Sequence, residues 1–140
     1  MNPVADEFDG FDLVWIGAVE SDNVAAFITA GSGFIPPSAQ AGIGEVENLI
    51  LEEPPKCECK LHIDAPITES YVELAKRGYF VFDWADVGVQ DSYYELAAQP
   101  TTPVRASDLP TALRAIAERT RISSRLFSEC EFLEVARLTP

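Results

Sequence analysis

The chain carries one histidine, His62, and three cysteines, Cys57, Cys59 and Cys130. Together they offer a Cys3His ligand set, which is the chemistry of a tetrahedral zinc site. The spacing argues against it. Cys57-Glu58-Cys59 is tighter than the gap such sites use, and no second paired motif follows. A Cys–His nucleophile pair meets a different obstacle: on a strand, Cys57, Cys59 and Leu61 share one face while His62 takes the other. The cysteines are odd in number and a reducing compartment is expected, so they read as free thiols. No metal and no cofactor is expected.

Gly31-Ser32-Gly33 has the look of a nucleophile or phosphate loop, but it lacks the Gly two residues before the Ser and the Lys of a phosphate loop. A turn that needs glycine dihedrals explains it better. Carboxylate pairs abound, among them Glu45/Glu47, Glu52/Glu53, Glu69/Glu73 and Asp83/Asp86. General acid–base work needs two carboxylates in different environments across a cleft. With 23 acids in the chain, chance pairs on a solvated surface are the default. Asp83 stands apart because it lies inside an apolar strand beside Trp84, where an outward position on a half-exposed strand is the plainer reading. Trp15, Phe27, Phe80, Phe82 and Trp84 fall on strands and read as core. Arg114, Arg119, Arg121 and Arg125 enclose Glu118, so they read as internal neutralisation of an acidic chain rather than a nucleic-acid patch. No catalytic residue is assigned.

These residues must be positioned by the elements around them. Asp12 to Val19 and Val24 to Ala30 are apolar, β-branched runs separated by Ser21-Asp22-Asn23, which predicts a hairpin. The Gly31–Gly33 and Pro36-Pro37 stretch predicts a loop. Val46, Leu49, Ile50 and Glu53 suit a helix over 44–53, stopped by Pro54-Pro55. Lys56 to Ile63 is a short candidate strand. Pro66 to Arg77 reads as a helix with Ile67, Tyr71, Leu74 and Ala75 on one stripe and Gly78 as its stop. Gly78 to Trp84 is the strongest strand, with Phe80, Phe82 and Trp84 on one face and Tyr79, Val81 and Asp83 on the other. Tyr93 to Gln99 and Thr102 to Arg105 are weaker strands broken by prolines, as edges tolerate. Ser107 is placed to cap a helix running to about Thr120, and Leu126 to Leu138 holds a last strand or extended tail. The expected fold is α+β: a single domain over 1–140, with a mixed or mainly antiparallel sheet and two to three helices packed on it.

Composition sets the outer bounds. Apolar residues make up 47% and charged ones 24%, the balance of a folded domain rather than an acidic tail. The net charge of −13 repels phosphate backbones and anionic lipid, which excludes nucleic-acid and membrane-surface partners and favours a basic one. Residues 1–104 hold 18 acids against four bases, while residues 105–140 hold five acids against six arginines. The acidic surface therefore belongs to the first three quarters of the chain. The acidic N-terminal residues form no signal peptide and no apolar stretch is long enough to span a bilayer, so a cytoplasmic location is expected.

Phe11-Asp12-Leu13-Val14-Trp15-Ile16-Gly17 and Asn23-Val24-Ala25-Ala26-Phe27-Ile28-Thr29-Ala30-Gly31-Ser32-Gly33-Phe34-Ile35-Pro36 resemble the opening of small bacterial immunity proteins. Those proteins accompany polymorphic toxins, including Rhs and type VI secretion effectors. Ala75-Lys76-Arg77-Gly78-Tyr79-Phe80-Val81-Phe82-Asp83-Trp84, Tyr94-Glu95-Leu96 and Pro103-Val104 are similar to later blocks of the same pattern. The resemblance implies a non-enzymatic antidote, which forms a 1:1 complex with a toxin domain encoded by an adjacent gene. From the acidity, the expected contact residues are Asp22, Glu45, Glu47, Glu52, Glu53, Asp86 and Asp91, with Phe34 or Tyr93 as an aromatic anchor. The competing expectations are a small carboxylate- or metal-dependent enzyme and an acidic adaptor or regulatory domain.

Overall fold

The computed structural model describes residues 12–19, 21–31, 33–63, 66–86, 92–122 and 132–134. Their elements follow in the order β1 (Val14–Val19), β2 (Val24–Ile28), α1 (Pro37–Gln40), α2 (Ile43–Leu51), β3 (Cys59–Leu61), α3 (Glu69–Ala75), β4 (Phe80–Asp86), β5 (Ser92–Pro100), α4 (Thr111–Arg119), β6 (Arg121–Ile122) and β7 (Phe132–Glu134). All seven strands join one mixed sheet in the order β3-β5-β4-β2-β1-β6, with β7 pairing β5 on the edge that β3 also uses. β1 pairs β2 as the expected antiparallel hairpin, Val14 opposite Ile28. β2 pairs β4, and β1 pairs β6, in parallel. The architecture is the α+β class with the mixed form of the sheet.

β1 and β2 are apolar at every position because the sheet is covered on both faces. One face presents Val14, Ile16, Ala18, Val24, Ala26 and Val81 to a helical layer, which contributes Val46 and Ile50 from α2, Leu74 from α3 and Leu113 and Ala117 from α4. Within that layer α2 lies between α4 and α3. The other face is aromatic. Trp15, Phe27, Phe82, Trp84 and Tyr94 pack there with Ile35, Ala39 and Ile43. Trp15 stacks on Phe27 at 4.0 Å between centroids, and Tyr94 meets both rings edge-on. The alternation expected across 78–84 holds, with Phe80, Phe82 and Trp84 in the aromatic cluster and Val81 under the helices.

Several boundaries differ from the sequence expectation. Pro37 begins a one-turn helix instead of continuing a loop, because proline suits the first helical position. Thr102 to Arg105 is not a strand; only Arg105 bridges to Asn23. Ser107 does not cap a helix. It sits in a short 3-10 turn, Ala106–Asp108, and Pro110 precedes the start of α4. β5 is not an edge either, since β4 flanks one side and β3 and β7 the other. Pro100 is accommodated there by register. Thr101 N donates to Glu58 O and His62 N to Ala97 O, so Cys59 opposite Pro100 is a non-hydrogen-bonded pair that needs no proline N–H. Between β4 and β5 the register slips by one residue, which places Ala97 and Ala98 together under the helical layer. Of the 126–138 segment only 132–134 is described, and it forms β7.

The turn from α3 into β4 depends on Gly78. Its φ is +98°, and a Cβ there would stand 2.8 Å from the Val104 Cβ and 3.0 Å from the Val104 N. Its carbonyl also accepts from Val104 N at 2.9 Å, so the two backbones cannot separate freely. Gly78→Ala is expected to combine a left-handed backbone penalty of about 1–2 kcal/mol with an overpacking cost of similar size. A denaturant midpoint unchanged from the parent would refute this account of the turn.

Candidate functional site

The acidic residues do not spread evenly over the fold. The sequence over 43–53 and 66–75 holds six glutamates, Glu45, Glu47, Glu52, Glu53, Glu69 and Glu73, and no lysine or arginine. These segments are α2, α3 and their flanks, two neighbours in the helical layer. α4, on the other side of α2, carries Arg114 and Arg119 against Glu118. The layer is thus polarised, negative over α2 and α3 and mildly positive over α4.

Helical periodicity decides which glutamates face solvent. With Ile43, Val46 and Ile50 turned to the core, α2 exposes Gly44, Glu45, Asn48 and Leu51 as one stripe, which its C-cap residue Glu52 continues. Glu47 is half-buried beside that stripe. Burial raises its pKa above the ordinary carboxylate range, and the negative charge of Asp12 adds to the rise. On α3, Glu69 and Ser70 are exposed and Ile67 just before it is 78% exposed. The C-terminal ends of the two helices are joined by a buried arginine. Arg77 donates from Nε to the Glu53 carbonyl at 2.8 Å, from Nη1 to the Glu73 carbonyl at 2.8 Å and carboxylate at 3.1 Å, and from Nη2 to the Leu51 carbonyl at 3.4 Å. This satisfies carbonyls that a helix end leaves without intrahelical partners.

Beneath α3 lies a second acidic feature that the sequence marked only through Asp83. Tyr71 donates its hydroxyl to Asp83 Oδ2 at 2.7 Å. Asp83 is half-buried, and burial raises its pKa. The Tyr71 hydrogen bond and the Trp84 backbone bond pull it back down, while the Asp12 charge pushes it up. Burial likewise raises the Tyr71 phenol, followed by the Asp83, Asp12 and Glu95 carboxylates. Asp83 therefore faces the helices, not open solvent.

The folded pKa of Asp83 lies above its unfolded value near 4. Its charged form therefore costs stability at neutral pH, a cost that is relieved as pH falls through the folded pKa. Asp83→Asn is expected to be at least as stable as the parent at pH 7 and to lose part of the gain the parent shows on mild acidification. Thermal melts between pH 7 and 5 test this; a variant less stable at pH 7 with an unchanged pH profile would refute it. Asp22 works in the opposite sense. Burial raises its pKa, but Ser107 hydrogen bonds and the Arg121 and Arg105 guanidiniums outweigh that and hold it low. Its contribution is present above the unfolded value and fades as pH drops through the folded one.

Asp22 belongs to a structural hub. It occupies the β1–β2 turn at φ 72°, and its carbonyl accepts from Ala106 N and its Oδ2 from Ser107 N. Its carboxylate also pairs with Arg105 at 3.8 Å and Arg121 at 3.6 Å. Phe34 is half-buried against the aromatic cluster, and its carbonyl accepts the Tyr94 hydroxyl. Glu53 is half-buried with Lys56 at 3.7 Å, whereas Glu45 on α2 and Glu52 at its C-cap stand exposed. Asp86 pairs Ser92, and Tyr93 pairs Ala85 and Glu134, at the far end of the β4–β5 ladder. Asp91 lies outside the described residues, as do Ser32, Arg125 and Cys130. The structure thus brings Glu45, Glu47, Glu52 and Glu53 together and separates them from Asp22 and Phe34. Sequence reasoning noted Glu69 and Glu73 only as a chance carboxylate pair and left them out of the contact set; the run 66–75, free of basic residues, is the signal that marks them.

His62 Nε2 lies 3.0 Å from Gln99 Oε1 on the β3–β5 edge, and the Cys57 Sγ packs 3.7 Å from the Ala75 and Lys76 carbonyls. Among the described residues, no three His, Cys, Asp or Glu side chains converge as metal ligands, and no helix is long and apolar enough to cross a membrane. What the helical layer presents is a concentration of exposed carboxylates, Glu45, Glu52 and Glu69, over α2, its C-cap and the start of α3. The chain matches no family model, no curated protein and no solved structure.

Proposed function

We propose that this chain is an antidote: a cytoplasmic protein that binds a basic toxin domain encoded by an adjacent gene in a 1:1 complex and neutralises it. The observation that carries the reading is the polarised helical layer, in which α2, α3 and their flanks (43–53 and 66–75) hold six glutamates and no lysine or arginine. Toxins that act on phosphate-bearing substrates concentrate positive charge around their sites, and an acidic binder gains steered, fast association with such a surface. Occlusion needs a stable interface of roughly 1,200–2,000 Å² in total and no chemistry of its own. The resemblance of the β1–β2 hairpin and of the 75–84 block to immunity proteins of polymorphic toxins supports the same reading. Co-expression with the neighbouring toxin should restore growth, and purification should return a heterodimer. Growth arrest in the presence of the chain, with no complex recovered, would refute the proposal.

A carboxylate-dependent enzyme is the second reading, favoured by the Tyr71–Asp83 pair at 2.7 Å. Under it, Asp83→Asn abolishes activity in a folded protein. Under the antidote reading the same variant still protects.

A further inference from the structure

We infer that the exposed stripe of α2, continued by the start of α3, is the docking surface, and that its occupant is a lysine- and arginine-bearing polypeptide segment with an apolar side chain among its cations. The choice of a basic occupant rests on the antidote reading. The placement rests on the helical layer alone.

Three features of the layer select this face. The first is charge complementarity: the nearest cations to α2 and α3 in sequence are Lys56, Lys76 and Arg77. Lys56 pairs with Glu53, Arg77 is buried on helix carbonyls and Glu73, and half-buried Lys76 at the end of α3 lies close enough to Cys59 for its charge to act there. Glu45, Glu52 and Glu69 keep their charge facing solvent. The second feature is apolar. Leu51 is 38% exposed within the same stripe and Ile67 is 78% exposed beside Glu69, so apolar side chains are interleaved with the carboxylates. Desolvated apolar contacts ringed by charges are how interfaces combine residence time with steering. The third is rigidity. Arg77 ties the two helix ends together, which spares the surface an ordering cost on binding. The α4 face offers Arg114 and Arg119 and repels such an occupant. The β1–β2 turn has its carboxylate, Asp22, already engaged by two arginines.

The test titrates the isotope-labelled full chain with a synthetic helical peptide of leucine, lysine and arginine and follows the amide resonances. Two triple variants change the net charge equally: Glu45→Lys/Glu52→Lys/Glu69→Lys on the proposed face, and Glu58→Lys/Asp108→Lys/Glu118→Lys elsewhere. The proposal expects shifts confined to 43–53 and 66–73. It also expects affinity at least tenfold weaker in the first triple, less than twofold weaker in the second, and reduced by Leu51→Asp. Equal weakening in both triples would show that net charge alone attracts the peptide and would overturn the surface. Shifts centred on α4 or the β1–β2 turn, or no binding, would overturn it too. Binding at α2 and α3 without any complex with the neighbouring toxin would uphold the surface and remove the antidote reading.

Discussion

Trp15→Ala is expected to lose about 3–5 kcal/mol, the range for deleting a fully buried aromatic. The indole is completely enclosed, stacked on Phe27 and crossed by the edge of Tyr94. It also donates Nε1–H to the Tyr94 hydroxyl at 3.1 Å, and that hydroxyl donates in turn to the Phe34 carbonyl at 2.8 Å. Removing the indole therefore opens a cavity and leaves a buried phenol short of one partner. Domains of this size hold roughly 5–15 kcal/mol, so the loss is a large share of the whole. Tyr94→Phe keeps the ring and removes both hydrogen bonds, at about 1–3 kcal/mol, because the indole N–H and the Phe34 carbonyl both lose a partner. A cycle with Trp15→Phe should show coupling of about 0.5 kcal/mol or more. Urea unfolding reads all three. Additive losses would mean the bond at 3.1 Å contributes nothing.

The same triad shows what the sequence could and could not reveal. That Trp15, Phe27, Phe82 and Trp84 are core follows from their alternation on apolar strands, a property of a few consecutive residues. Trp15 and Tyr94 lie 79 residues apart, and nothing local places one hydroxyl against the other indole. Asp22 is a sharper case. In sequence it is an acidic turn residue, indistinguishable from a solvated contact, and its real partners, Arg105 and Arg121, arrive from beyond β5. Asp83 was marked by its apolar strand, but its role required Tyr71 from α3 to come down on it. Helix boundaries failed where a proline intervened: Pro110 moved the start of α4 past the Ser107 cap.

The candidate surface was legible in composition and illegible in arrangement. Glu45, Glu47, Glu52 and Glu53 were visible as a run, and helical spacing separates exposed Glu45 and Glu52 from half-buried Glu47. Their alignment with Glu69 and Glu73 depends on the crossover from β2 to the parallel strand β4, which lays both helices on one face of the sheet. Charge counting then overstated the loops and turns. Asp22 counts as one of the 18 acids in the first 104 residues, yet it is spent inside the fold. Net charge measures attraction at a distance, whereas the surface that meets a partner is what remains after internal pairing.

Arg77 tests whether that remaining surface depends on the core beneath it. Arg77→Met is expected to cost about 1–3 kcal/mol, the range for leaving buried acceptors without a donor, because its charged partner Glu73 is 41% exposed and is not stranded as a buried charge. The thioether fills part of the volume but leaves the Leu51, Glu53 and Glu73 carbonyls without their donor. Arg77→Lys keeps the charge and separates the two contributions. A single ammonium cannot reach from the end of α2 to the end of α3 with several fixed N–H bonds, so it should recover only part of the loss. Exchange protection at the C-terminal turns of α2 and α3 should fall in both variants before the sheet opens, because the change is local to those ends. If Arg77→Lys matches the parent, the network acts as a point charge near Glu73, and the rigidity ascribed to the α2–α3 face has another source. If it falls with Arg77→Met, the planar guanidinium is what fixes the two helices side by side, and with them the spacing of the glutamates that face solvent.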